Sequence, residues 1–193
     1  MNDKNFYLML IDTPWAGPSV EVVKGPDLSV NDGVFIHDVT EAYEINLLVD
    51  KQAKDSNEFL PCDIHGPSRT LMFSDQLVNL LTKLGVDNIQ YFDADVTYAP
   101  TGEKVGYKVA NIVDIVGGLD LEKSDVILSR QGNVLEIEAM CLDESKLSGH
   151  QIFRLQESIM HVVVHKSIKE AIESAGMTGV MFITDDEYES GML

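Results

Sequence analysis

Four side chains of this sequence could carry thiol, imidazole or metal chemistry: Cys62, His65, Cys141 and His150. Cys62 and His65 have the spacing of half a zinc site, and the other two could supply the remaining ligands. The first pair could also act as a thiol with its general base, but a thiolate needs electropositive surroundings and this part of the sequence is acidic. We therefore predict no metal site and no catalytic centre here. Convergence of two or more of the four side chains in one pocket would favour an enzyme of unrecognised type instead.

Two further histidines, His161 and His165, lie four positions apart and enclose three consecutive valines. β-Branched residues favour a strand, on which residues four apart are separated by about 13 Å, too far to share one ion. The sequence has no Gly-x-Ser-x-Gly nucleophile elbow and no phosphate-binding glycine loop in a strand–loop–helix context. These patterns predict a protein that is not an enzyme and that needs no metal and no cofactor.

Acidic residues dominate the charge of the chain. Its 193 residues include 32 Asp and Glu against 14 Lys and Arg, which gives a net charge of −18. Such a surface repels nucleic-acid phosphates and anionic lipids and attracts basic proteins, although the charge would also serve solubility alone. Carboxylates in predicted loops are therefore the candidate partner-binding residues: Asp27, Asp32, Asp38, Asp185 and Asp186.

Cysteine content and apolar runs predict a cytoplasmic protein. The chain has 2 cysteines, too few for a disulfide framework, which indicates a reducing compartment. The apolar run over residues 6–11 is too short for the core of a signal peptide, and no stretch approaches the length of a membrane span. The length and the hydrophobic content of 45% predict a single domain over residues 1–193.

Short apolar runs separated by turn residues predict a β-rich N-terminal part over about residues 1–65. Its predicted strands cover residues 6–11, 19–23, 34–36 and 44–49. Farther along the chain, we predict a long strand over residues 107–116, a β-hairpin with strands at residues 126–128 and 134–139, and a short strand at residues 152–155. The closing residues, 185–193, are predicted to form a mobile acidic tail.

Two strand–helix–strand units are predicted in the α/β part of the chain, about residues 66–184. In the first unit, Ser74 is the predicted N-cap, Leu77 begins a series of leucines at helical spacing, and Gly85 ends the helix. The same pattern returns 91 positions later and ends at Gly176. We interpret the two as similar packing units and leave an internal duplication open. The predicted fold class is α+β, a mixed α/β arrangement in which both units surround a mixed sheet.

Three segments carry motifs with a further implication: LVNLLTKLGVDNIQYF at residues 77–92, GHQIFRL at 149–155 and SIKEAIESAGMTGV at 167–180. In this order they resemble an immunity-protein family of bacterial polymorphic toxin systems, formerly a domain of unknown function, over about residues 65–184. The resemblance implies an antidote that binds a cognate toxin delivered by contact-dependent or type VI secretion. Its motif residues carry over as residues that form the fold: Leu77, Leu81, Gly85, Phe153, Arg154, Ile168, Gly176, Gly179 and Val180. No catalytic and no toxin-contacting residues carry over.

The charge, the missing catalytic pattern and the resemblance together predict an immunity protein that binds a toxin with a basic surface in the cytoplasm. Nucleic acid and membranes are not expected as partners. Two alternatives stay open. One is the enzyme of unrecognised type. The other is a regulatory or structural homo-oligomer, such as a homodimer whose strand edges pair across a two-fold axis.

Overall fold

The computed structural model describes residues 4–12, 19–26, 30, 32–49, 61–66 and 71–192. Within these ranges the strands are β1 (Phe6–Ile11), β2 (Ser19–Lys24), β3 (Tyr43–Leu48), β4 (Ile64–His65), β5 (Met72–Ser74), β6 (Ile89–Tyr98), β7 (Glu103–Val105), β8 (Tyr107–Ile112), β9 (Ile115–Val116), β10 (Asp125–Leu128), β11 (Val134–Ala139), β12 (Ile152–Leu155), β13 (Ser158–His165) and β14 (Val180–Ile183). The helices are α1 (Asp75–Lys83), α2 (Glu144–Leu147) and α3 (Lys166–Ser174), and a 3₁₀ turn follows at Asp185–Glu187. Many strands with few helices confirm the predicted α+β class. None of the helices in the described ranges combines the length and the apolar character that a membrane crossing requires.

Most of the strands belong to two mixed sheets. One has five strands in the order β14-β1-β13-β12-β9, and the other has seven, in the order β2-β3-β6-β8-β5-β4 with β7 paired to β6. The β3–β6 and β9–β12 pairs are parallel, and the other pairs are antiparallel. Strands β10 and β11 form a separate antiparallel hairpin. This hairpin is the one that the sequence predicts.

The two strand–helix–strand units share one architecture. Strands β5 and β6 lie on either side of β8, and β13 and β14 lie on either side of β1. The outer strands meet the central strand at equivalent positions: Ser74–Tyr107 and Ile89–Ile112 in the first unit, His165–Phe6 and Val180–Ile11 in the second. The central strand follows the first unit in sequence but precedes the second. The similarity predicted for the helices therefore extends to strand pairing, and a common origin of the two units stays open.

Local capping interactions set the ends of α1 and α3. Ser74 accepts a hydrogen bond from a backbone amide in the first turn of α1 at 3.2 Å, as predicted. His165 takes the equivalent place before α3, where its Nδ1 accepts from a first-turn amide at 3.2 Å. Gly85 and Gly176 follow the two helices with φ angles of 78° and 66°. This left-handed conformation ends helices and is the reason for glycine at both positions.

Helices α1 and α3 pack against each other and against one face of each sheet. Leu77 and Leu81 of α1, and Ile168 and Ile172 of α3, are at most 1% exposed. Full burial of a Leu or Ile side chain contributes about 1.5–3 kcal/mol, so these four residues hold the two units together. A second apolar cluster covers the opposite face of the five-stranded sheet and includes Phe153. A third covers the opposite face of the seven-stranded sheet.

Two of the predicted strands differ from the structure. Residues 34–36 form no strand, because side-chain amides replace a strand neighbour: Gln90 Oε1 accepts from the backbone N–H of residue 36 at 2.9 Å, and Asn111 Nδ2 donates to the carbonyl of residue 34 at 2.8 Å. The strand predicted over residues 107–116 is interrupted between β8 and β9. The reason is that β9 leaves the seven-stranded sheet and pairs with β12 of the other sheet.

Candidate functional site

The Cys62–His65 pair stabilises the turn before β4. The Cys62 backbone N–H donates a hydrogen bond to His65 Nε2 at 2.9 Å, so the ring is neutral with its proton on Nδ1. Burial lowers the pKa of His65 to about 4 and raises the pKa of the Cys62 thiol. A ring nitrogen that already accepts a backbone N–H does not take a proton from a thiol. The pair therefore lacks the geometry of a nucleophile with its base.

Cys141 and His150 have partners of their own elsewhere in the fold. The Cys141 backbone N–H donates to a serine hydroxyl just before β10 at 3.0 Å, and His150 Nδ1 lies 2.7 Å from Asp114 Oδ2. His161 and His165 lie on one strand, as the intervening valines predict. Among the residues that the structure describes, no group of three or more His, Cys, Asp or Glu side chains could hold a metal ion. The structure thus does not bring the four candidate side chains together in one site.

The predicted acidic contact residues differ in how far they reach solvent. Asp32, Asp38 and Asp186 are exposed, and their role in partner binding stays a prediction. Asp38 has a φ of 59°, a left-handed conformation that aspartate tolerates better than most residues. Asp27 lies outside the described residues.

Asp185 is buried, so the prediction that it belongs to a mobile, solvated tail is wrong. Its side chain is 3% exposed. Its Oδ2 accepts a hydrogen bond from the Leu142 backbone N–H at 2.8 Å, and its Oδ1 lies 2.7 Å from Lys4 Nζ. Tyr188, three positions later, packs in the core cluster next to the five-stranded sheet. Asp185 and Tyr188 are therefore part of the folded core, and Asp185 is not available to a partner.

The motif residues of the resemblance occupy the core and the turns of the two units. Arg154 is 3% exposed, its Nη1 donates to the Ile159 carbonyl at 2.8 Å, and burial lowers its pKa to about 10. The buried apolar members are Leu77, Leu81, Phe153 and Ile168, the glycines with positive φ are Gly85, Gly176 and Gly179, and Val180 begins β14. These places explain the motif through folding and do not point to a contact surface.

The β10–β11 hairpin packs one side chain in the core and carries three exposed apolar side chains. Ile137 is 3% exposed and packs in the core. Ile127, Leu128 and Leu135 are 43%, 48% and 68% exposed. The pairing with β10 skips Leu135, which is therefore a β-bulge residue. Strict alternation would place Leu135 and Ile137 on the same face, but the bulge turns Leu135 toward solvent.

A groove with a volume of about 510 Å³ lies between β11 and the turn that joins β12 to β13. We call it the hairpin groove. Among the described residues, its lining contains two glutamates and no lysine or arginine. The side chains that matter for its chemistry are Leu135, Glu136, Glu157, Met160, His161 and Tyr188. The groove thus combines apolar walls with negative charge.

A second exposed apolar surface lies on the irregular segment before β3. Val34 and Phe35 are 59% and 54% exposed, and we call this pair the Phe35 patch. Asn111 Nδ2 donates a hydrogen bond to the Val34 carbonyl oxygen at 2.8 Å. This bond anchors the backbone of the patch to the seven-stranded sheet. Asp32 and Asp38 flank the pair in sequence.

Sequence reasoning missed both surfaces because it ranked loops by their carboxylates alone. Phe35 was expected inside a strand, and Leu135 was placed in a hairpin strand without an assigned face. The short run of bulky residues over positions 34–36, with Asp32 and Asp38 close on either side, was a usable signal for the second surface. No local pattern indicates the bulge at Leu135.

Comparison with known proteins identifies a family. A family model described as Immunity protein family (Imm11) matches residues 23–185. No curated protein matches the chain. The match spans both strand–helix–strand units and the hairpin, and it confirms the resemblance found over residues 65–184. The chain therefore belongs to the Immunity protein family (Imm11).

Proposed function

We propose that this protein is an immunity protein that binds a cognate secreted bacterial toxin and neutralises it in the cytoplasm of the producing cell and its kin. The match to the immunity-protein family over residues 23–185 is the observation that carries the proposal. Delivery of the toxin by contact-dependent or type VI secretion belongs to the same proposal. Neutralisation by a tight complex covers a working surface of the toxin, so the immunity protein needs no reacting group.

The net charge of −18 supports a toxin with a basic surface. Complementary fields steer two proteins into encounter and raise the association rate constant by roughly 10- to 1,000-fold at low ionic strength. The Debye length falls from about 10 Å at 0.1 M salt to about 3 Å at 1 M. We therefore expect association with the toxin to slow steeply as salt is added. A partner recognised without charge would show little change.

Growth rescue tests the proposed function directly. Each candidate toxin encoded next to this gene is expressed alone and together with this protein, and a catalytically inactive toxin variant is used for co-purification. We expect arrest by the toxin alone, growth in the presence of both proteins, and co-elution of the purified pair. Failure of rescue and of complex formation with every neighbour would contradict the proposal. A stable dimer in sedimentation at micromolar concentration, with no toxin complex, would favour the homo-oligomer instead.

A further inference from the structure

We propose that the hairpin groove is the docking site for a basic side chain, lysine or arginine, of the cognate toxin. This inference rests on the proposed function and names the surface through which the toxin is held. Three features of the groove carry it: an exposed apolar rim, carboxylates that are already held in place, and a lining without positive charge.

The apolar rim suits the aliphatic part of a basic side chain. Leu135 and Met160 line the groove and are 68% and 43% exposed. Lysine and arginine pack their methylene stems along apolar surface while their charged heads stay in polar surroundings. Exposed apolar side chains gathered in one place mark an interaction site.

The carboxylates of the groove are held by the fold before any partner arrives. Glu157 accepts hydrogen bonds from the backbone N–H groups of Gly118 at 3.2 Å and Leu119 at 3.3 Å. Glu136 accepts from the Ser190 hydroxyl at 3.1 Å. A carboxylate has about four lone-pair sites, so both glutamates keep capacity for an ammonium or guanidinium group. Side chains that are already ordered lose less conformational entropy on binding.

The imidazole in the lining adds no positive charge that would repel a cation. His161 is 3% exposed, and its Nδ1 lies 2.8 Å from Ser158 Oγ. Its Nε2 has no hydrogen-bond partner among the described residues. Burial lowers the pKa of His161 to about 4, so the ring is neutral at pH 7. The described lining therefore presents two glutamates and no positively charged side chain.

The Phe35 patch is the competing surface for a toxin. It offers exposed apolar area, and acidic residues flank it in sequence. The groove is favoured because its apolar side chains and its held carboxylates line the same depression, where one lysine or arginine contacts both. Phe35→Ala tests the Phe35 patch separately from the groove.

Binding to purified, catalytically inactive toxin, measured by isothermal titration calorimetry, tests the groove. Leu135→Ser removes an apolar wall, and Glu136→Lys places a positive charge in the groove. Glu138→Lys is the matched control, because it makes the same charge change at an exposed position of β11 outside the lining. We expect Kd to rise at least about tenfold for each groove variant, and less than about threefold for Glu138→Lys and Phe35→Ala. Circular dichroism and thermal melting confirm that each variant is folded.

A charge swap provides the complementary test. Replacement of the docking lysine or arginine of the toxin by glutamate should restore binding to Glu136→Lys. Wild-type affinity of both groove variants would overturn the proposal that the groove binds the toxin, and so would equal weakening of binding by Glu136→Lys and Glu138→Lys. So would loss of binding confined to Phe35→Ala. In these cases the wild-type protein still binds and rescues, so the proposed function stands. A wild-type protein that neither binds nor rescues would overturn the proposed function, and the groove with it.

Discussion

Replacing Gly179 by alanine should destabilise this protein far more than the same change at Gly176. Both glycines are in the left-handed region, with φ of 83° and 66°. An alanine in this conformation costs about 1–2 kcal/mol. A Cβ added at Gly176 would meet no atom of the described residues within 4 Å. The expected loss of unfolding free energy for Gly176→Ala is therefore only this conformational part, about 1 kcal/mol.

Gly179 adds a steric term to the same conformational cost. A Cβ at this position would lie 2.7 Å from the Cys62 Cβ and closer still to the Ile64 carbonyl oxygen, well inside the roughly 3.5–4.0 Å of a normal contact. Neither residue 179 nor the β4 segment can move away without disturbing a hydrogen bond. The Ile64 N–H donates to the Thr178 carbonyl at 3.1 Å, and the Asp12 N–H donates to the Gly179 carbonyl at 3.0 Å. Leaving the buried Ile64 N–H or the buried Gly179 carbonyl without its partner costs about 1–3 kcal/mol. The total for Gly179→Ala is then about 3 kcal/mol.

Urea unfolding followed by circular dichroism measures the difference between the two variants. A slope of about 2 kcal/mol per molar urea is typical of small proteins, so a gap of about 2 kcal/mol separates the two midpoints by about 1 M. Equal slopes for the two variants and the wild type would show that only native-state stability has changed. Coincident midpoints for Gly179→Ala and Gly176→Ala would refute the reasoning, because the contact between residue 179 and the β4 segment would then carry no cost.

Three further predictions concern buried or capping polar groups. Asp185→Ala removes a buried carboxylate that accepts from a backbone N–H and pairs with an ammonium group, so we expect thermal melting to show a loss of unfolding free energy of about 3 kcal/mol. Asp186→Ala, at an exposed position, should change the unfolding free energy by no more than about 0.5 kcal/mol. Equal melting of the two variants would contradict the burial of Asp185. Burial lowers the pKa of His65 and His161 from 6.5 to about 4. Between pH 4 and pH 6.5 the unfolded chain therefore binds more protons than the folded protein does. The free energy of unfolding then falls as pH falls, by up to about 1.4 kcal/mol per pH unit for each ring. Unfolding by urea at several pH values should show a shallower dependence in His161→Gln, and an unchanged slope would rule out this titration. Ser74→Ala should cost about 1 kcal/mol through the lost N-cap of α1. Partial recovery is expected in Ser74→Thr, which keeps a hydroxyl that can donate to Asp63 Oδ1, and a neutral Ser74→Ala would show that the cap contributes nothing.

Local patterns were enough to predict helices α1 and α3 and several of the strands, but not the short helix α2. Ser74 and Gly85 mark the ends of α1 because a cap depends on backbone groups within one helical turn. The three valines before His165 favour a strand for a similarly local reason, the packing of β-branched side chains on a pleated surface. The capping role of His165 was missed, since histidine is not among the usual N-cap residues. The family resemblance came from the same local motifs.

Contacts between distant parts of the chain decided the features that matter for a partner. Asp185 is buried because Lys4, from the other end of the chain, and the Leu142 backbone amide meet its carboxylate, and no pattern near Asp185 carries that information. Leu135 is exposed because a register shift against β10 makes it a bulge, although alternation alone would bury it. Long-range pairing also places β1 between β13 and β14. Charge and periodicity are properties of a segment, whereas burial and exposure are set by whichever segment packs against it.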